Sequence, residues 1–204
     1  MRIPVAVMLC GAVLAGCSGL RSSRPAEQVY VLHASPAAAA PAQAIPGVLR
    51  VPRPEVHPGL DTSRIALTRA DNEMDYFADS RWGESLPKVL AAFAVESVSG
   101  LGLFETVVGA EAAAVQGDFD LLLTVRRFEA DYAAGTPVAR AAFDCVLLGG
   151  APRRVLGRCD AAAEEPVGEN RLGLIVGSLE RAAQKALVDA GSRAAALARA
   201  TVRK

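Results

Sequence analysis

The sequence predicts a single α+β domain, in which a mostly antiparallel β-sheet carries two main helices packed on one side. Three observations predict this class. Apolar residues recur at helical spacing in two windows, they alternate at strand spacing in several others, and the windows follow the order strands, helix, strands, helix. With 204 residues, 51% of them hydrophobic, the chain is long enough to bury a sizeable core.

The N-terminus has the features of a lipoprotein signal peptide. Arg2 precedes an apolar stretch from Val5 to Ala15, roughly half the length that a spanning helix needs. The stretch closes on Leu14-Ala15-Gly16-Cys17, the pattern of a lipobox, where bacteria cleave before the cysteine and acylate it. We therefore expect residues 1–16 to be removed and Cys17 to carry acyl chains such as palmitate. The alternative is an ordinary cleaved signal peptide with an incidental cysteine.

Acylation would hold the mature protein on a membrane, because one acyl chain binds marginally and two or more hold firmly. Ser18 follows the cysteine, whereas the enterobacterial signal for inner-membrane retention is Asp. We therefore expect attachment to the periplasmic face of the outer membrane. Residues 17–28 form a tether that reaches no more than about 40 Å when fully extended. The domain, residues 29–191, must lie close to its membrane.

The domain opens with strands separated by a proline-rich loop. Val29–Leu32 predicts a short first strand, and residues 33–47 form an alanine- and proline-rich loop whose prolines exclude a helix. Val48–Val51 can be extended, but Pro52-Arg53-Pro54 excludes a central strand directly after it. Alternation predicts two further strands, one at Ile65, Leu67 and Arg69 and one at Met74–Phe77.

A four-three-four spacing predicts the first helix, with one apolar stripe formed by Trp82, Leu86, Val89 and Phe93. Three residues could cap its N-terminus, namely Asp79, Ser80 and Ser85. A start near Ser85 fits best, because it places Pro87 in the first turn, where proline is tolerated. A glycine pair, Gly100 and Gly102, ends the helix, and the chain returns as a strand at Leu103–Val108.

A long antiparallel meander follows. Four alternating apolar residues open it, Phe119, Leu121, Leu123 and Val125. The alternation then slips by one residue at Arg126-Arg127, so that Phe128 takes the inward position, and a β-bulge supplies such an extra residue. Val138–Leu148 and Arg154–Ala161 complete the meander.

Two cysteines in this meander, Cys145 and Cys159, are candidates for a disulfide, because an exported protein lies in an oxidising compartment. If they pair directly across the ladder, Phe143 meets Ala161 and Leu147 meets Gly157, which suits an apolar face. The same register sets Asp144 against Asp160, and like charges that face each other are unfavourable.

Helical spacing predicts a last helix, which Asn170 could cap. We expect its buried stripe at Leu172, Ile175, Val176, Leu179, Ala183 and Leu187. Gly191-Ser192 is expected to end its packed part. Residues 192–204 are then a C-terminal tail that continues as helix or frays.

The chemistry-bearing residues argue against an enzyme. His33 and His57 lack partners at ligand spacing, and no nucleophile elbow, dinucleotide loop or phosphate loop occurs. A solvated edge strand explains the neighbouring acidic residues Asp71, Glu73 and Asp75 better than catalysis does. Basic and acidic residues number 22 each, and loss of Arg2 with the signal leaves 21 against 22, which gives little support to nucleic-acid binding. We expect no catalytic residue, no cofactor and no metal.

Several segments taken together resemble a known family. They are Tyr30-Val31-Leu32, Gly59 to Ala66, Tyr76 to Leu86 with its Arg81-Trp82 pair, and Leu103 to Val107. With the lipobox, they make the chain similar to the ABC-type transport auxiliary lipoproteins, the paraquat-inducible protein C-like group. The resemblance covers nearly the whole mature chain, and Arg81-Trp82 is its most distinctive part. The alanine- and proline-rich loop and Gly83 depart from the family's pattern.

The resemblance implies a function. Family members accompany inner-membrane ABC transporters whose periplasmic substrate-binding subunits carry MCE domains, in systems that move lipids or protect the envelope from solvents. This chain would then be a non-catalytic adaptor that binds an MCE protein at the outer membrane, and a homo-oligomer is compatible with that role. The alternatives are a periplasmic lipid-binding carrier, a structural envelope lipoprotein and, last, an enzyme.

The candidates for partner contact are Tyr76, Arg81 and Trp82, because binding hot spots are enriched in Trp, Tyr and Arg. Each has a competing role within the domain. The apolar stripe places Trp82 in the core, Tyr76 is in a similar position, and Arg81 can pair with an acidic neighbour, Asp79 or Glu84.

Overall fold

The computed structural model describes residues 26–35, 43–70, 73–112, 114–150 and 152–202. The signal peptide, Cys17, most of the tether, residues 36–42 of the alanine- and proline-rich loop, and Asp71 lie outside these ranges. In the part of the chain that is described, no helix combines the length and the apolar character needed to cross a membrane.

The described residues form nine strands and two α-helices. The strands are β1 (Gln28–Tyr30), β2 (Ile45–Val51), β3 (Glu55–Val56), β4 (Arg64–Ala70), β5 (Glu73–Trp82), β6 (Phe104–Gly109), β7 (Phe119–Asp131), β8 (Val138–Gly149) and β9 (Arg154–Pro166). The helices are α1 (Leu86–Ser99) and α2 (Leu172–Val202). The expected order of strands, helix, strands, helix is confirmed.

The sheet is mixed, and β7 is its centre. One edge of β7 pairs antiparallel with β8 along its length, and β8 pairs antiparallel with β9. The other edge of β7 pairs in turn with β2, β3 and β4, all parallel. β5 is antiparallel to β4. The short strand β1 is parallel to β5, and β6 is parallel to β2. The longest ladders are therefore antiparallel, as expected, and the short pairings add a parallel component.

Both helices cover one face of the sheet, which we call the inner face. They contact each other, with the Ser97 hydroxyl donating a hydrogen bond of 3.1 Å to the side-chain oxygen of Gln184. On β8, the odd-numbered residues from Ala139 to Leu147 are buried beneath α2, whereas most even-numbered residues are half-buried on the opposite, outer face. The core lies between helices and sheet, and the outer face lacks a helical layer within the described residues.

The first helix differs from its prediction at one end. Ser85 is the residue before the helix and Pro87 lies in the first turn, as expected. Trp82, however, belongs to β5, where its amide donates to the carbonyl oxygen of Ser63 at 2.7 Å. The apolar stripe of α1 therefore begins at Leu86 and not at Trp82. Val89 is half-buried, and the buried residues of α1 are Leu86, Pro87, Leu90, Phe93, Ala94, Ser97 and Val98.

The alanine- and proline-rich loop is shorter than expected. Ile45 already begins β2 and pairs with Phe104 of β6, so the strand starts three residues before the predicted Val48. Gly47 makes this possible, because its φ of 102° lies in the left-handed region that glycine adopts without strain. The register of the β2–β6 ladder shifts between Ile45 and Val48, around this glycine.

The meander agrees with its prediction in register. The β7–β8 ladder shifts between Val125 and Arg127, which is the predicted bulge, and Phe128 is 1% exposed. A disulfide joins Cys145 and Cys159, which are directly paired with a Cα–Cα distance of 4.9 Å. Asp144 does face Asp160 across the ladder. Arg126 offsets the repulsion, since its Nε lies 2.8 Å from Asp144 Oδ1.

The second helix is packed further than expected. It continues past Gly191-Ser192 to Val202, and Ala194, Ala195 and Ala198 are fully buried. The expected stripe is buried, apart from the half-buried Leu172. Alanine explains the difference, because it buries no long side chain and so gives a weak periodic signal, yet it lets the helix approach β9 closely. Asn170 accepts a hydrogen bond from the Tyr132 hydroxyl at 2.6 Å.

A glycine on β9 tests this packing. A Cβ atom at Gly157 would lie 2.5 Å from Leu197 Cδ2 and 3.1 Å from Leu197 Cγ. We expect Gly157→Val to lower the free energy of unfolding by about 1–3 kcal/mol, because overpacking displaces the helix. Leu197→Ala in the same background should restore part of the loss. Gly168→Val is the control, since a Cβ atom there meets nothing within 4 Å. Urea unfolding measures all four proteins, and an unchanged Gly157→Val would contradict the packed end of α2.

Candidate functional site

A docking site for the N-terminal strand lies at one edge of the sheet. β1 pairs with β5 at three positions, where Gln28, Val29 and Tyr30 face Ser80, Arg81 and Trp82. The Gly83 amide then donates to the carbonyl oxygen of Tyr30 at 2.9 Å. Beyond β1, the His33 amide donates to Glu180 Oε2 of α2 at 2.8 Å. The chain that leads from the expected lipid anchor is therefore attached to both the sheet and a helix.

Arg81 joins this strand to the core. Its Nε lies 2.8 Å from Glu27 Oε2, and its Nη1 donates to the carbonyl oxygens of Trp82 and Gly83 at 3.1 and 3.4 Å. The expected partners differ: Glu84 pairs instead with Lys88 at 3.4 Å, and Asp79, whose φ of 48° is left-handed, lies in an irregular stretch of β5. Sequence proximity favoured Asp79 and Glu84, but the parallel pairing of β1 brings Glu27 to the guanidinium.

Trp82 lies inside the domain behind this docking site. Its side chain is 1% exposed, and its ring lies 5.7 Å from the ring of Phe128, tilted by 50°. An aromatic pair of this geometry adds stability beyond the buried area alone. The structure thus places Trp82 in the core, while the Arg81 side chain is 38% exposed next to it.

Removal of the Arg81 guanidinium should loosen β1 without unfolding the domain. We expect Arg81→Gln to raise the hydrogen-exchange rate of the Gly83 amide about fivefold, because an exposed ion pair and its hydrogen bonds contribute roughly 1 kcal/mol to local opening. Arg69→Gln is the control, since it removes a more exposed ion pair, with Asp75, on the neighbouring strands. Unchanged exchange at Gly83 would show that Arg81 does not hold the strand.

A groove of about 870 Å³ lies on the outer face of the sheet. It lies at the end of the sheet where β4 and β7 finish and β5 and β8 begin. Apolar and aromatic residues form one wall, and charged residues from β7 and β8 form the floor. The residues that line the groove include Leu60, Thr68, Met74, Tyr76, Arg126, Arg127, Glu129, Asp131 and Arg140.

The floor of the groove is a network of charged side chains. Arg127 Nε lies 2.5 Å from Glu129 Oε1, and its Nη2 lies 3.1 Å from Asp131 Oδ2. Arg140 Nε lies 2.8 Å from the same Asp131 oxygen, and its Nη1 binds Glu164. Glu129 and Asp131 are only 3% and 9% exposed. Two buried carboxylates are thus neutralised by two half-exposed guanidinium groups, which keeps the floor rigid.

The two buried carboxyl groups have pKa values shifted in opposite directions. Burial raises the pKa of Glu129, against the opposing effect of Arg127. Burial also acts to raise the pKa of Asp131, but hydrogen bonds from the Ala133 amide and Arg127, with the charge of Arg140, outweigh it and lower that pKa.

Tyr76 forms part of the opposite wall. Its hydroxyl donates to the carbonyl oxygen of Gly59 at 2.7 Å, and the Arg64 guanidinium carbon lies 3.8 Å from the centre of its ring. Thr68 lies opposite Asp131 in the ladder, and its hydroxyl oxygen is buried without a hydrogen-bond partner in the described ranges. The groove therefore combines an unused hydroxyl, exposed guanidinium nitrogens and apolar surface.

The structure separates the residues that the sequence grouped together. Tyr76 lines the groove, Arg81 lies at the docking site, Trp82 is in the core, and Cys145 and Cys159 form the disulfide. Glu73 is exposed and Asp75 pairs with Arg69 at 3.4 Å, as a solvated strand would have them. Among the residues that the structure describes, no three His, Cys, Asp or Glu side chains are grouped so as to hold a metal ion.

The groove and its charged floor were not predicted from the sequence. The signal was nevertheless present, since Arg127, Glu129 and Asp131 alternate along one strand after the bulge. Charges of opposite sign at strand spacing share one face of a sheet. What the sequence did not reveal is that β4, β5 and the segment around Leu60 enclose that face.

Comparison with known proteins finds a matching family and solved structures of similar fold. A family model described as the ABC-type transport auxiliary lipoprotein component matches residues 30–191. The crystal structure of protein XCC0632 from Xanthomonas campestris has a TM-score of 0.76 at 19% identity, over 87% of this chain and 100% of that one. A crystal structure of an uncharacterized protein has a TM-score of 0.62 at 16% identity, over 87% and 99%. No curated protein matches the sequence significantly.

Proposed function

Because the chain belongs to the family of ABC-type transport auxiliary lipoproteins, we propose that it is a non-catalytic adaptor of an ABC transport system with MCE-domain substrate-binding subunits. The observation that carries this proposal is the family match over residues 30–191, which runs from Tyr30, the last residue of β1, and includes the groove and the hairpin of β8 and β9 with its disulfide. We further propose that Cys17 is acylated and that the protein is attached to the periplasmic face of the outer membrane.

The docking site supports an anchored role. An adaptor that transmits position from a membrane to a partner needs a firm connection between its anchor and its core. Arg81, which carries the most distinctive part of the family resemblance, binds Glu27 just before β1, and Trp82 fixes the end of β5 in the core. The tether is thereby joined to the most buried part of the domain.

The charged groups of the groove support binding over catalysis. Arg127 and Arg140 are engaged with Glu129, Asp131 and Glu164, an arrangement that holds side chains still. A carrier that encloses an acyl chain needs a cavity lined mainly by apolar side chains. Five of the groove's lining residues are charged, namely Arg126, Arg127, Glu129, Asp131 and Arg140, so the adaptor fits better than the carrier.

Crosslinking in the native host tests the proposal. The full-length tagged chain is compared with a version whose residues 1–17 are replaced by a cleavable signal without a lipobox. We expect the full chain to fractionate with the outer membrane and to capture an MCE-domain protein after mild crosslinking. The version without the lipobox should be released into the periplasm and capture far less. Recovery of no MCE protein by membrane-bound full-length chain would overturn the adaptor function.

A further inference from the structure

The direction of β1 indicates from which end of the sheet the expected tether leaves the domain. β1 is parallel to β5, so the chain upstream of Gln28 heads toward the start of β5. That start, at Glu73 and Met74, is the end of the sheet where the groove lies. A tether that continues in this direction leaves the domain past the groove.

The separations along the sheet are short. Arg81 faces both Val29 of β1 and Arg64 of β4, whereas the groove residues Tyr76 and Met74 face Ala66 and Thr68. Along β4, Ala66 lies two residues and Thr68 four residues from Arg64, which corresponds to about 7 and 13 Å. The eleven residues from Ser18 to Gln28 span at most about 40 Å when extended. A tether of this length allows the groove to lie between the docked strand and the bilayer.

The chemistry of the groove fits an anion that carries an apolar part. Arg127 uses Nε and Nη2 on the two carboxylates, so among the described residues the hydrogens of Nη1 remain as donors. Arg126 is 48% exposed at the rim; its Nε lies 2.8 Å from Asp144 Oδ1, and its terminal nitrogens are the groups that would reach an anion. Both oxygens of Glu129 and both of Asp131 are already engaged, which leaves the floor rich in donors. Guanidinium groups bind phosphate oxygens strongly, and Met74 and Leu60 offer an apolar wall beside them.

We propose that this groove faces the anchoring bilayer and binds the phosphodiester head of a membrane phospholipid. The inference rests on the lipid anchor in the proposed function. Arg126 and Arg127 contact the phosphate, and the glycerol end lies against Met74. The acyl chains stay in the membrane, so the groove orients the domain and does not carry lipid away.

Two residues of similar exposure mark opposite ends of the molecule and allow a direct test of orientation. Met74, at the groove, is 38% exposed, and Val115, before the start of β7, is 40% exposed. They are separated by the length of β7, about 40 Å. Two variants of the acylated mature protein are made, Met74→Cys and Val115→Cys, and each new cysteine is labelled with a fluorophore. Each labelled protein is reconstituted in vesicles that contain a lipid with a nitroxide-labelled head, which quenches nearby fluorophores. We expect most emission to be lost at position 74 and little at 115. Equal quenching, or stronger quenching at 115, would overturn the orientation.

Calorimetric titration of the mature acylated protein in nonionic detergent tests the ligand. The probes are dihexanoylphosphatidylglycerol and, separately, inorganic phosphate. We expect saturable binding of the lipid, weakened roughly fivefold or more by Arg126→Gln, because a charge-assisted hydrogen bond is lost. Arg158→Gln is the control on the same face of the sheet, opposite Val146, and should change affinity less than about twofold.

Each result decides the proposal. Equal affinity for inorganic phosphate and for the lipid would assign the groove to free phosphate, and no binding, or equal loss in both variants, would overturn the site. Lipid binding in detergent requires neither the MCE partner nor a bilayer. Binding without MCE capture therefore contradicts the proposed function alone, whereas capture without lipid binding contradicts the groove alone.

Discussion

Replacing Trp82 by alanine is expected to lower the free energy of unfolding by about 3–5 kcal/mol, the usual cost of removing a fully buried aromatic side chain. Trp82 is 1% exposed and lies against Phe128, so its loss leaves a cavity at the point where β5, β7 and the docked strand meet. Since domains of this kind are marginally stable, the variant should unfold at much lower urea concentration or accumulate poorly.

The comparison with Trp82→Phe separates packing from partner contact. Phenylalanine keeps most of the buried area and should cost clearly less than alanine. If Trp82 instead acts at a partner surface, the alanine variant keeps its stability and loses only its ability to capture the partner. Urea unfolding monitored by circular dichroism, with crosslinked capture on the same proteins, distinguishes these results.

Loss of the disulfide is expected to cost about 3 kcal/mol, because the bond restricts the unfolded chain over a loop of this length. Cys145 and Cys159 are separated by 14 residues and lie in the longest antiparallel ladders of the sheet. The double variant Cys145→Ala/Cys159→Ala should therefore unfold at lower urea concentration while keeping its native circular dichroism spectrum.

Reduction supplies the matching control. The wild-type protein with reductant should approach the stability of the double variant, and the double variant itself should not respond to reductant. Asp160→Asn removes the like charge facing Asp144 and should slightly stabilise both the disulfide-bonded and the reduced protein. If reductant leaves the wild-type protein unchanged, the two cysteines are not joined in the mature protein.

Local patterns predicted the meander well. Strict alternation from Phe119 to Val125, the slip at Arg126-Arg127 and the position of the two cysteines were enough to give the bulge and the register of β8 on β9. A hairpin brings together residues that are close in sequence, so its pairing can be read from one chain. The α+β order and the start of the first helix at Ser85 follow from similarly local signals.

Non-local pairing explains what was missed. Trp82 has helical spacing to Leu86, Val89 and Phe93, but β1 pairs with β5 as far as Trp82 and keeps it in the sheet. The same pairing brings Glu27 to Arg81 across 54 residues. The floor of the groove depends on β4 reaching β7, and the packed end of α2 depends on alanines that give almost no periodic signal.

The mass of the N-terminal peptide of the mature protein, isolated from membranes of the native host, tests the central claim most directly. An anchored adaptor predicts a peptide that begins at Cys17 and carries the added mass of at least two acyl chains. A mature chain with an unmodified first residue, soluble and still functional in the periplasm, would contradict it.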